Sequence, residues 1–219
     1  MKKEFVVIGL GRFGGSIVSE LINLDAHVMA IDISQDKVED FASIATQAVT
    51  ADTTDESVLE SLGIRNFEHV IVAIGEDIQA SILTTLMLKE IGVPKITVKA
   101  QNILHEKVLK KIGADIIVHP ERDMAIRIAN SMVSNNILDY LELSDEHSIA
   151  EMKATDKIAG KTIIDLDIRA RYGINIVAIK RGYEILISPQ TIEEIQKEDI
   201  LIIIGSDVDL HLFEKKLLR

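Results

Sequence analysis

A glycine-rich turn near the start of the chain has the residue types and spacing of a phosphate-binding loop. The segment Gly9–Gly15 reads Gly-Leu-Gly-Arg-Phe-Gly-Gly and follows the apolar run Phe5–Ile8. Gly9 permits a tight turn, Gly11 lets a phosphate approach the backbone, and Gly14 lets a helix pack closely on its strand. The free N–H groups and the positive dipole end of that helix would then face the phosphates.

A carboxylate follows where the ribose of a bound nucleotide would lie. Asp32 comes after a second apolar run, Val28–Ile31, and can accept hydrogen bonds from a ribose diol. These features predict adenine-nucleotide binding; the alternative is a structural βαβ turn. Arg12 lies where it could bind an additional negative charge such as a terminal phosphate, in its own subunit or across a subunit boundary. The alternative is that it is an exposed arginine that supports the helix. Asp52 and Thr53 either recognise the adenine or cap the next helix.

Composition narrows the class of protein. The chain has 219 residues, of which 47% are hydrophobic, and this suits one large domain or two small ones. A net charge of −11 argues against a nucleic-acid surface, and the lack of cysteine excludes disulfides and thiol chemistry. The start Met1–Glu4 leads directly into a strand, and no apolar run reaches the length of a membrane span. We therefore expect a soluble, acidic, intracellular protein.

The first 140 residues alternate strand and helix patterns. Such a pattern predicts a doubly wound parallel α/β sheet, that is, a Rossmann domain. Strands are predicted at Phe5–Leu10, Val28–Ile31, Ala48–Ala51, Val70–Ile74, Ile96–Val98 and Ile116–Val118. Helices are predicted at Asp36–Ile44 with a Ser34 cap, at Val58–Leu62 after a Thr53–Glu56 capping box, at Ile78–Ile91 and at Ile103–Ile112.

The stretch Glu121–Leu141 carries apolar residues at every fourth position. They are Ala125, Ala129, Val133, Ile137 and Leu141. The pattern predicts one long helix whose first half packs on its own sheet, while the stripe runs on through Asn135–Leu138. An apolar stripe longer than its sheet indicates a second subunit, so we expect homo-oligomerisation.

A small α+β domain is predicted after this helix. Its strands are expected at Ile149–Met152, Ile174–Ile179, Tyr183–Ile187 and Ile200–Ile204, with helices at Asp165–Tyr172 and Asp207–Leu218. We therefore expect a nucleotide-binding domain over residues 1–140, with its crossover helix reaching about residue 143, and a second domain over 144–219.

Nothing in the sequence supports catalysis. A dehydrogenase needs an acid or base near the nicotinamide, and no motif of the sequence supplies one. The chain also lacks the GxSxG elbow of serine hydrolases and the Walker A lysine of nucleotide hydrolases. The histidines form no metal-like pair and are interpreted as surface or strand-end residues: His27, His69, His105, His119, His147 and His211. A small NAD(H)-dependent oxidoreductase remains the alternative function.

Several segments together resemble the RCK (KTN) domain family, in particular the cytosolic regulatory subunits of Ktr potassium transporters (KtrA/KtrC type). They are Phe5–Ser16, Val70–Gly75, Val98–Ala100, Gly113–Asp115, His119–Glu121, Leu166–Arg169 and Gly173–Ile179. The resemblance covers essentially the whole chain. It implies a homodimer that assembles into an octameric ring on a membrane potassium-translocating subunit (KtrB/KtrD type). In this family ATP activates the ring and ADP inactivates it, and NAD(H) binding is ascribed to relatives.

The resemblance also implies binding residues. The nucleotide positions of the family correspond to Gly11, Arg12, Phe13, Gly14, Asp32, Ile33, Asp52, Thr53, Ala73, Ile74, Gly75 and Lys99. Glu121 corresponds to an acid that helps to hold a cation, either a divalent ion or sodium, near the phosphates; its alternative role is to cap its helix. The family's cyclic di-AMP cleft lies in the second domain, and its positions correspond to Ile164, Ile168, Arg169, Asn175, Ile176 and Pro189. The alternative is that the isoleucines are ordinary core residues.

Overall fold

The computed structural model describes residues 2–133, 136–144 and 146–218. The chain forms two compact units, Met1–Pro120 and Glu121–Arg219. The strands of the first unit are β1 (Glu4–Ile8), β2 (His27–Asp32), β3 (Gln47–Thr50), β4 (His69–Val72), β5 (Ile96–Lys99) and β6 (Ile116–Val118). Its helices are α1 (Arg12–Asn23), α2 (Gln35–Phe41), α3 (Glu56–Ser61), α4 (Ile78–Glu90) and α5 (Ile103–Ile112).

The six strands of the first unit form one parallel sheet with the order β3-β2-β1-β4-β5-β6. Helices α1 and α2 cover one face, where Val18 and Val38 pack on Val7. The opposite face packs against α3, α4 and α5, with Leu88 and Leu109 in its core. Both faces are therefore buried, which explains the almost continuous apolar strands. The predicted doubly wound Rossmann fold is confirmed.

The predicted start of α3 is wrong. Asp55, not Thr53, is the N-cap residue, and its carboxylate accepts the N–H of Ser57 at 2.9 Å. Thr53 is buried instead, with its hydroxyl 3.0 Å from the hydroxyl of Thr84 on α4. At α2, Ser34 stands at the N-cap position but its side chain makes no capping hydrogen bond.

The second unit contains a separate antiparallel sheet of five strands with the order β10-β9-β11-β8-β7. Its strands are β7 (Ile137–Ser144), β8 (His147–Lys153), β9 (Asn175–Arg181), β10 (Glu184–Ile187) and β11 (Ile200–Ser206). Its helices are α6 (Pro120–Val133, which begins at the last residue of the first unit), α7 (Ile163–Leu166), α8 (Ile168–Tyr172) and α9 (Asp207–Phe213), the last followed by a π-helical turn over Glu214–Leu218. The small α+β fold predicted for this part is confirmed.

A buried ion pair ties β9 to the turn before β11. Arg181 donates from Nε and Nη2 to the two carboxylate oxygens of Asp199, at 3.0 and 2.8 Å. Asp199 is only 1% exposed, and it also accepts the N–H of Gln196. This network ties the second strand of the sheet, β9, to the turn that leads into the third, β11.

The long helix predicted over 121–141 is wrong in its second half. α6 ends at Val133, and Ile137–Ser144 forms β7, which pairs antiparallel with β8. Ile137 and Tyr140 are buried in the core of the second sheet, so long-range pairing outweighs the fourfold spacing. Asn135 lies outside the described residues. The boundary predicted at residues 140–144 falls inside β7.

One further helix prediction differs in detail. The helix predicted at Asp165–Tyr172 is two short helices, α7 and α8, because Asp167 adopts a left-handed conformation with φ of 46° between them.

Within the described residues, no helix is both long enough and apolar enough to cross a membrane.

Candidate functional site

Two glycines of the first turn are required by close packing. Gly9 has φ of 93°, and a Cβ there would stand 2.9 Å from the carbonyl carbon of Ala73 at the end of β4. A Cβ at Gly14 would lie 1.8 Å from the carbonyl oxygen of Gly9. These contacts hold α1 tightly against β1 and β4, as the sequence predicted.

Gly11 differs, because a Cβ there would meet nothing within 4 Å. It is the N-cap residue of α1, and its carbonyl accepts the first intrahelical hydrogen bond, from the N–H of Gly15 at 2.8 Å. The N–H groups of Arg12, Phe13 and Gly14 precede that bond and have no acceptor within the helix. An open backbone with free donors at a helix start is the arrangement that binds phosphate.

Asp32 is held at the end of β2 beside this turn. It is 6% exposed, and its two oxygens accept the N–H groups of Leu10 at 2.7 Å and Ser34 at 2.9 Å. The ammonium of Lys37 lies 3.7 Å away. Since a carboxylate has about four acceptor positions, the two backbone bonds fix its orientation and leave capacity for a ribose diol.

The residues predicted to contact the adenine have different surroundings. Ile33 follows Asp32 and is 70% exposed. Asp52 is exposed and accepts hydrogen bonds from the N–H and hydroxyl of Thr54. Thr53 is packed against Thr84, so its hydroxyl is already engaged.

The ends of β4 and β5 bring three predicted site residues together. The ammonium of Lys99 lies 5.8 Å from the centroid of the Phe13 ring, within range of a cation–π contact. The same ammonium is 3.5 Å from where a Cβ of Gly75 would stand. The side chain of Gln101 donates to the carbonyl of Gly75, which joins the two strand ends. Ala73 is buried and Ile74 is half-buried beside them.

His105 is a polar residue of this region that the sequence analysis misjudged as a surface or strand-end residue. It is 2% exposed in the first turn of α5, and its Nδ1 accepts the N–H of Gln101 at 3.3 Å. Its Nε2 has no hydrogen-bond partner within the described residues. Burial lowers the pKa of this imidazole below its usual value. The feature of the sequence that could have placed His105 in this region is its position soon after the end of β5.

Arg12 and Glu121 are both exposed. Arg12 begins α1, and Glu121 lies in the first turn of α6 in the second unit. Within the described residues, no group of three or more histidine, aspartate or glutamate side chains converges as a metal site. The cation role of Glu121 therefore stays a prediction.

The second unit brings several of its predicted ligand residues to one edge. The N–H of Ile164 donates to the carbonyl of Thr191 at 2.8 Å, and the N–H of Ser188, next to Pro189, donates to Val177 at 2.8 Å. Ile164 is 61% exposed, and Ile176 is partly buried. Arg169 and Asn175 are also exposed. Ile168 is 3% exposed and belongs to the core.

Comparison with known proteins assigns the family. The TrkA-N domain matches residues 5–120 and the TrkA-C domain matches residues 148–218. The chain is 67% identical over 219 residues to Ktr system potassium uptake protein C of Bacillus subtilis (strain 168), covering 100% of this chain and 99% of that protein. The chain belongs to the RCK regulatory subunits of Ktr potassium uptake systems. This RCK subunit is also 55% identical to Ktr system potassium uptake protein A of the same organism, over 98% of this chain and 96% of that one.

Solved structures agree with the RCK fold. The GsuK RCK domain superposes with a TM-score of 0.70 at 18% identity, covering 100% of this chain and 48% of that one, so this chain spans about half of its length. The RCK C domain of KtrA in complex with cyclic diadenosine monophosphate is 64% identical over 33% of this chain and 86% of that one, with a TM-score of 0.32.

The two matched ranges leave a gap in this RCK subunit. The TrkA-N match ends where the first compact unit ends, at residue 120, and the TrkA-C match begins at residue 148. Helix α6 from its second residue and the whole of β7 therefore lie outside both matches.

Proposed function

We propose that this RCK subunit binds adenine nucleotides at the glycine turn of the first unit and thereby controls a membrane potassium-translocating subunit of the KtrB/KtrD type, with ATP activating and ADP inactivating. The observation that carries the proposal is the open backbone at Gly11. Three N–H groups without intrahelical acceptors follow it, and the oriented carboxylate of Asp32 stands beside it. NAD(H), which also carries an adenosine diphosphate, is the competing nucleotide.

The discrimination between ATP and ADP requires a contact that only the terminal phosphate makes. A ligand shifts a conformational equilibrium only by the difference of its affinities for the two states. We propose that Arg12, exposed at the start of α1, reaches the terminal phosphate bound in a neighbouring subunit. One charge-assisted hydrogen bond of this kind contributes about 1.5–3 kcal/mol, and ADP makes none.

A homodimer that assembles into an octameric ring fits the surface of α6. No residue of this helix is buried, although it carries several large apolar side chains. Those that are exposed to between 44% and 79% are Met124, Ile128, Met132 and Val133. An apolar stripe left open on a regular helix is typical of a protein–protein contact. The assembly would attach to the membrane subunit from the cytoplasmic side.

We further propose that cyclic di-AMP binds at the edge of the second unit and inactivates transport. Exposed Ile164 supplies an apolar wall for the bases, while Arg169 and Asn175 supply charge and hydrogen-bonding groups for the phosphates. Backbone hydrogen bonds to Thr191 and from Ser188 hold the neighbouring segment in place. Ile168 supports this edge from the core.

A cation completes the proposed nucleotide site. In the assembled protein, Glu121 would help to hold a divalent ion or sodium near the phosphates between subunits, because carboxylate oxygens suit such hard cations. Glu121 is exposed in the first turn of α6.

Calorimetric titration of the full chain with ATP, ADP and NADH, followed by light scattering, tests the nucleotide proposal. We expect ATP and ADP to bind, and ATP to favour a ring of eight chains. Lys2→Gln serves as a control, since it removes an exposed ion pair with Asp25 at the end of β1 opposite to the glycine turn. Steady turnover of NADH with a carbonyl substrate would instead support the oxidoreductase, and no nucleotide binding would overturn both functions.

A further inference from the structure

His105 is a buried histidine of the first unit whose hydrogen bonding is only half satisfied. It is the third residue of α5, and 2% of it is exposed. Its Nδ1 accepts the N–H of Gln101 at 3.3 Å, while its Nε2 has no hydrogen-bond partner within the described residues. An acceptor at Nδ1 places the proton of a neutral imidazole on Nε2, so the ring carries a buried donor without an acceptor. Such a donor costs stability, which indicates a role for the ring besides packing.

Two local hydrogen bonds tie this histidine to the loop between β5 and α5. The side chain of Asn102 accepts the N–H of His105 at 2.9 Å, and the ring of His105 reaches back to the N–H of Gln101. In a capping box, the N-cap side chain and the side chain of the third helical residue each accept a backbone N–H. The arrangement here is similar, with the second bond moved to the residue before the N-cap. It fixes the backbone of Gln101 where the chain leaves β5.

Gln101 passes this constraint to the end of β4. Its side-chain amide donates to the carbonyl of Gly75. The ammonium of Lys99 is beside the same glycine, 3.5 Å from where a Cβ would stand. Two residues before Gly75, the carbonyl carbon of Ala73 would stand 2.9 Å from a Cβ of Gly9. A series of contacts within the first unit therefore leads from His105 to the glycine turn.

We propose that His105 is a positioning residue of the nucleotide site, which acts through Gln101 to hold Gly75 and the end of β4 against the glycine turn. This inference rests on the proposed binding of nucleotides at that turn. The role requires no contact between the imidazole and the nucleotide. Loss of either hydrogen bond releases Gly75, so the effect should be seen in nucleotide affinity and not in folding alone.

The charge of the imidazole controls the first of these bonds. A protonated ring has N–H groups on both nitrogens, so its Nδ1 cannot accept the N–H of Gln101. Burial lowers the pKa of His105, and the charge of His119 after β6 lowers it further, so the ring is neutral at pH of about 7.5. The other charged side chains at this end of the neighbouring elements are Glu76 and Asp77 before α4, Lys99 at the end of β5 and Glu106 on α5 itself.

The experiment measures the affinity of the full chain for ATP by calorimetry at pH of about 7.5 and about 5.5. His105→Leu removes the acceptor, so we expect ATP to bind about 3–10-fold more weakly at the higher pH, the effect of one hydrogen bond. His105→Asn supplies a side-chain oxygen close to the position of Nδ1 and does not titrate, so it should retain the affinity at the higher pH.

The pH profile distinguishes positioning from a structural role in the cap of α5. As the pH falls from about 7.5 to about 5.5, the unmodified chain should lose at least about threefold more affinity than His105→Asn, because only the imidazole becomes protonated. The phosphates of ATP also titrate in this range, and their contribution is the same for both proteins. A structural role alone would change the urea midpoint and leave the affinity of the folded protein unchanged.

Gln101→Leu tests the second bond without a change in the core, because Gln101 is exposed. We expect a loss of about 3–10-fold in ATP affinity. His105→Leu combined with Gln101→Leu should lose no more than either alone, because both act through one contact. His69→Gln is the matched control, since burial also lowers the pKa of His69, but this residue begins β4 at the end opposite to Gly75. It should leave ATP affinity and its pH dependence unchanged.

The outcomes separate this inference from the proposed function. Equal pH dependence of the unmodified chain and His105→Asn, or an ATP affinity within about twofold of the original in Gln101→Leu, would overturn the positioning role and leave nucleotide binding intact. An unmodified chain that binds no adenine nucleotide would overturn the proposed function and the positioning role together. Urea unfolding shows whether each variant remains folded.

Discussion

Substitution of Gly11 by alanine separates nucleotide binding from folding. Its φ of −67° and ψ of −172° are accessible to alanine, and the new methyl group would meet nothing within 4 Å. Because glycine is preferred over alanine at an N-cap, we expect the free energy of unfolding to fall by up to about 1 kcal/mol. The methyl group would nevertheless stand where a phosphate must approach the backbone.

The expected loss of affinity follows from the bonds that a displaced phosphate gives up. One charge-assisted hydrogen bond contributes about 2 kcal/mol, which corresponds to about 30-fold in Kd. We therefore expect Gly11→Ala to weaken ATP binding by about 30-fold or more in calorimetry, with an almost unchanged urea midpoint. Affinity within about threefold of the original would show that the phosphates do not cross Gly11.

Gly14→Ala is the comparison variant for Gly11→Ala, because it disturbs the packing of α1 whereas Gly11→Ala obstructs the ligand. Its Cβ would stand 1.8 Å from the carbonyl oxygen of Gly9, so α1 must shift away from β1. We expect a loss of about 1–3 kcal/mol in the free energy of unfolding, the usual effect of overpacking. An unfolding midpoint equal to that of Gly11→Ala would contradict this distinction between the two glycines.

Four other changes test separate parts of the structure. Asp32→Ala should weaken ATP binding about tenfold or more, because the ribose hydroxyls lose a charged acceptor; unchanged calorimetric affinity would place the ribose elsewhere. Arg12→Ala should leave the affinity for ADP unchanged and reduce the difference in affinity between ATP and ADP. Full activation of transport by ATP in vesicles that contain this variant would refute the cross-subunit contact. Asp199→Ala leaves the guanidinium of Arg181 with Glu193 as its remaining carboxylate partner, so the second unit should lose about 1–3 kcal/mol in urea unfolding; an unchanged midpoint would contradict this. Burial lowers the pKa of His69 below that of an exposed imidazole, so the unfolded chain binds this proton more readily than the folded one. The free energy of unfolding is therefore highest above pH of about 6.5 and falls as the pH drops below it. His69→Gln should reduce this loss between pH of about 7.5 and about 5.5.

The parts of the site that depend on local backbone geometry were predictable. Gly9 and Gly14 are needed because the chain turns sharply and a helix crosses close above it, and both constraints act within a few residues. Asp32 follows from the same unit, because it ends the next parallel strand. The order of the first sheet then follows from repeated βαβ connections.

Tertiary contacts decided the elements that were mispredicted. Ile137 and Leu141 fit a helical stripe as well as a strand, and antiparallel pairing with the next strand, β8, selects β7. Thr53 and Asp55 are both good capping residues, and the hydrogen bond between the hydroxyls of Thr53 and Thr84, far apart in the chain, leaves Asp55 as the cap. His105 is buried because α5 packs on the sheet.

The isoleucines of the second unit show where periodicity stops being informative. Ile164 and Ile168 are four residues apart, which in one continuous helix would place them on the same face. The left-handed Asp167 breaks that helix, so Ile164 is exposed at the edge while Ile168 joins the core. A single backbone angle therefore divides residues that the family resemblance had grouped as one ligand surface.

The apolar surface of α6 supports the proposed assembly. A helix of 14 residues with no buried side chain is marginal by itself, and the ion pair of Arg127 with Asp139 holds only its middle. Met124, Ile128 and Met132 are largely exposed, so the proposed homodimer would stabilise this helix by covering them. We therefore expect α6 to be more ordered in the assembled protein than in a monomer.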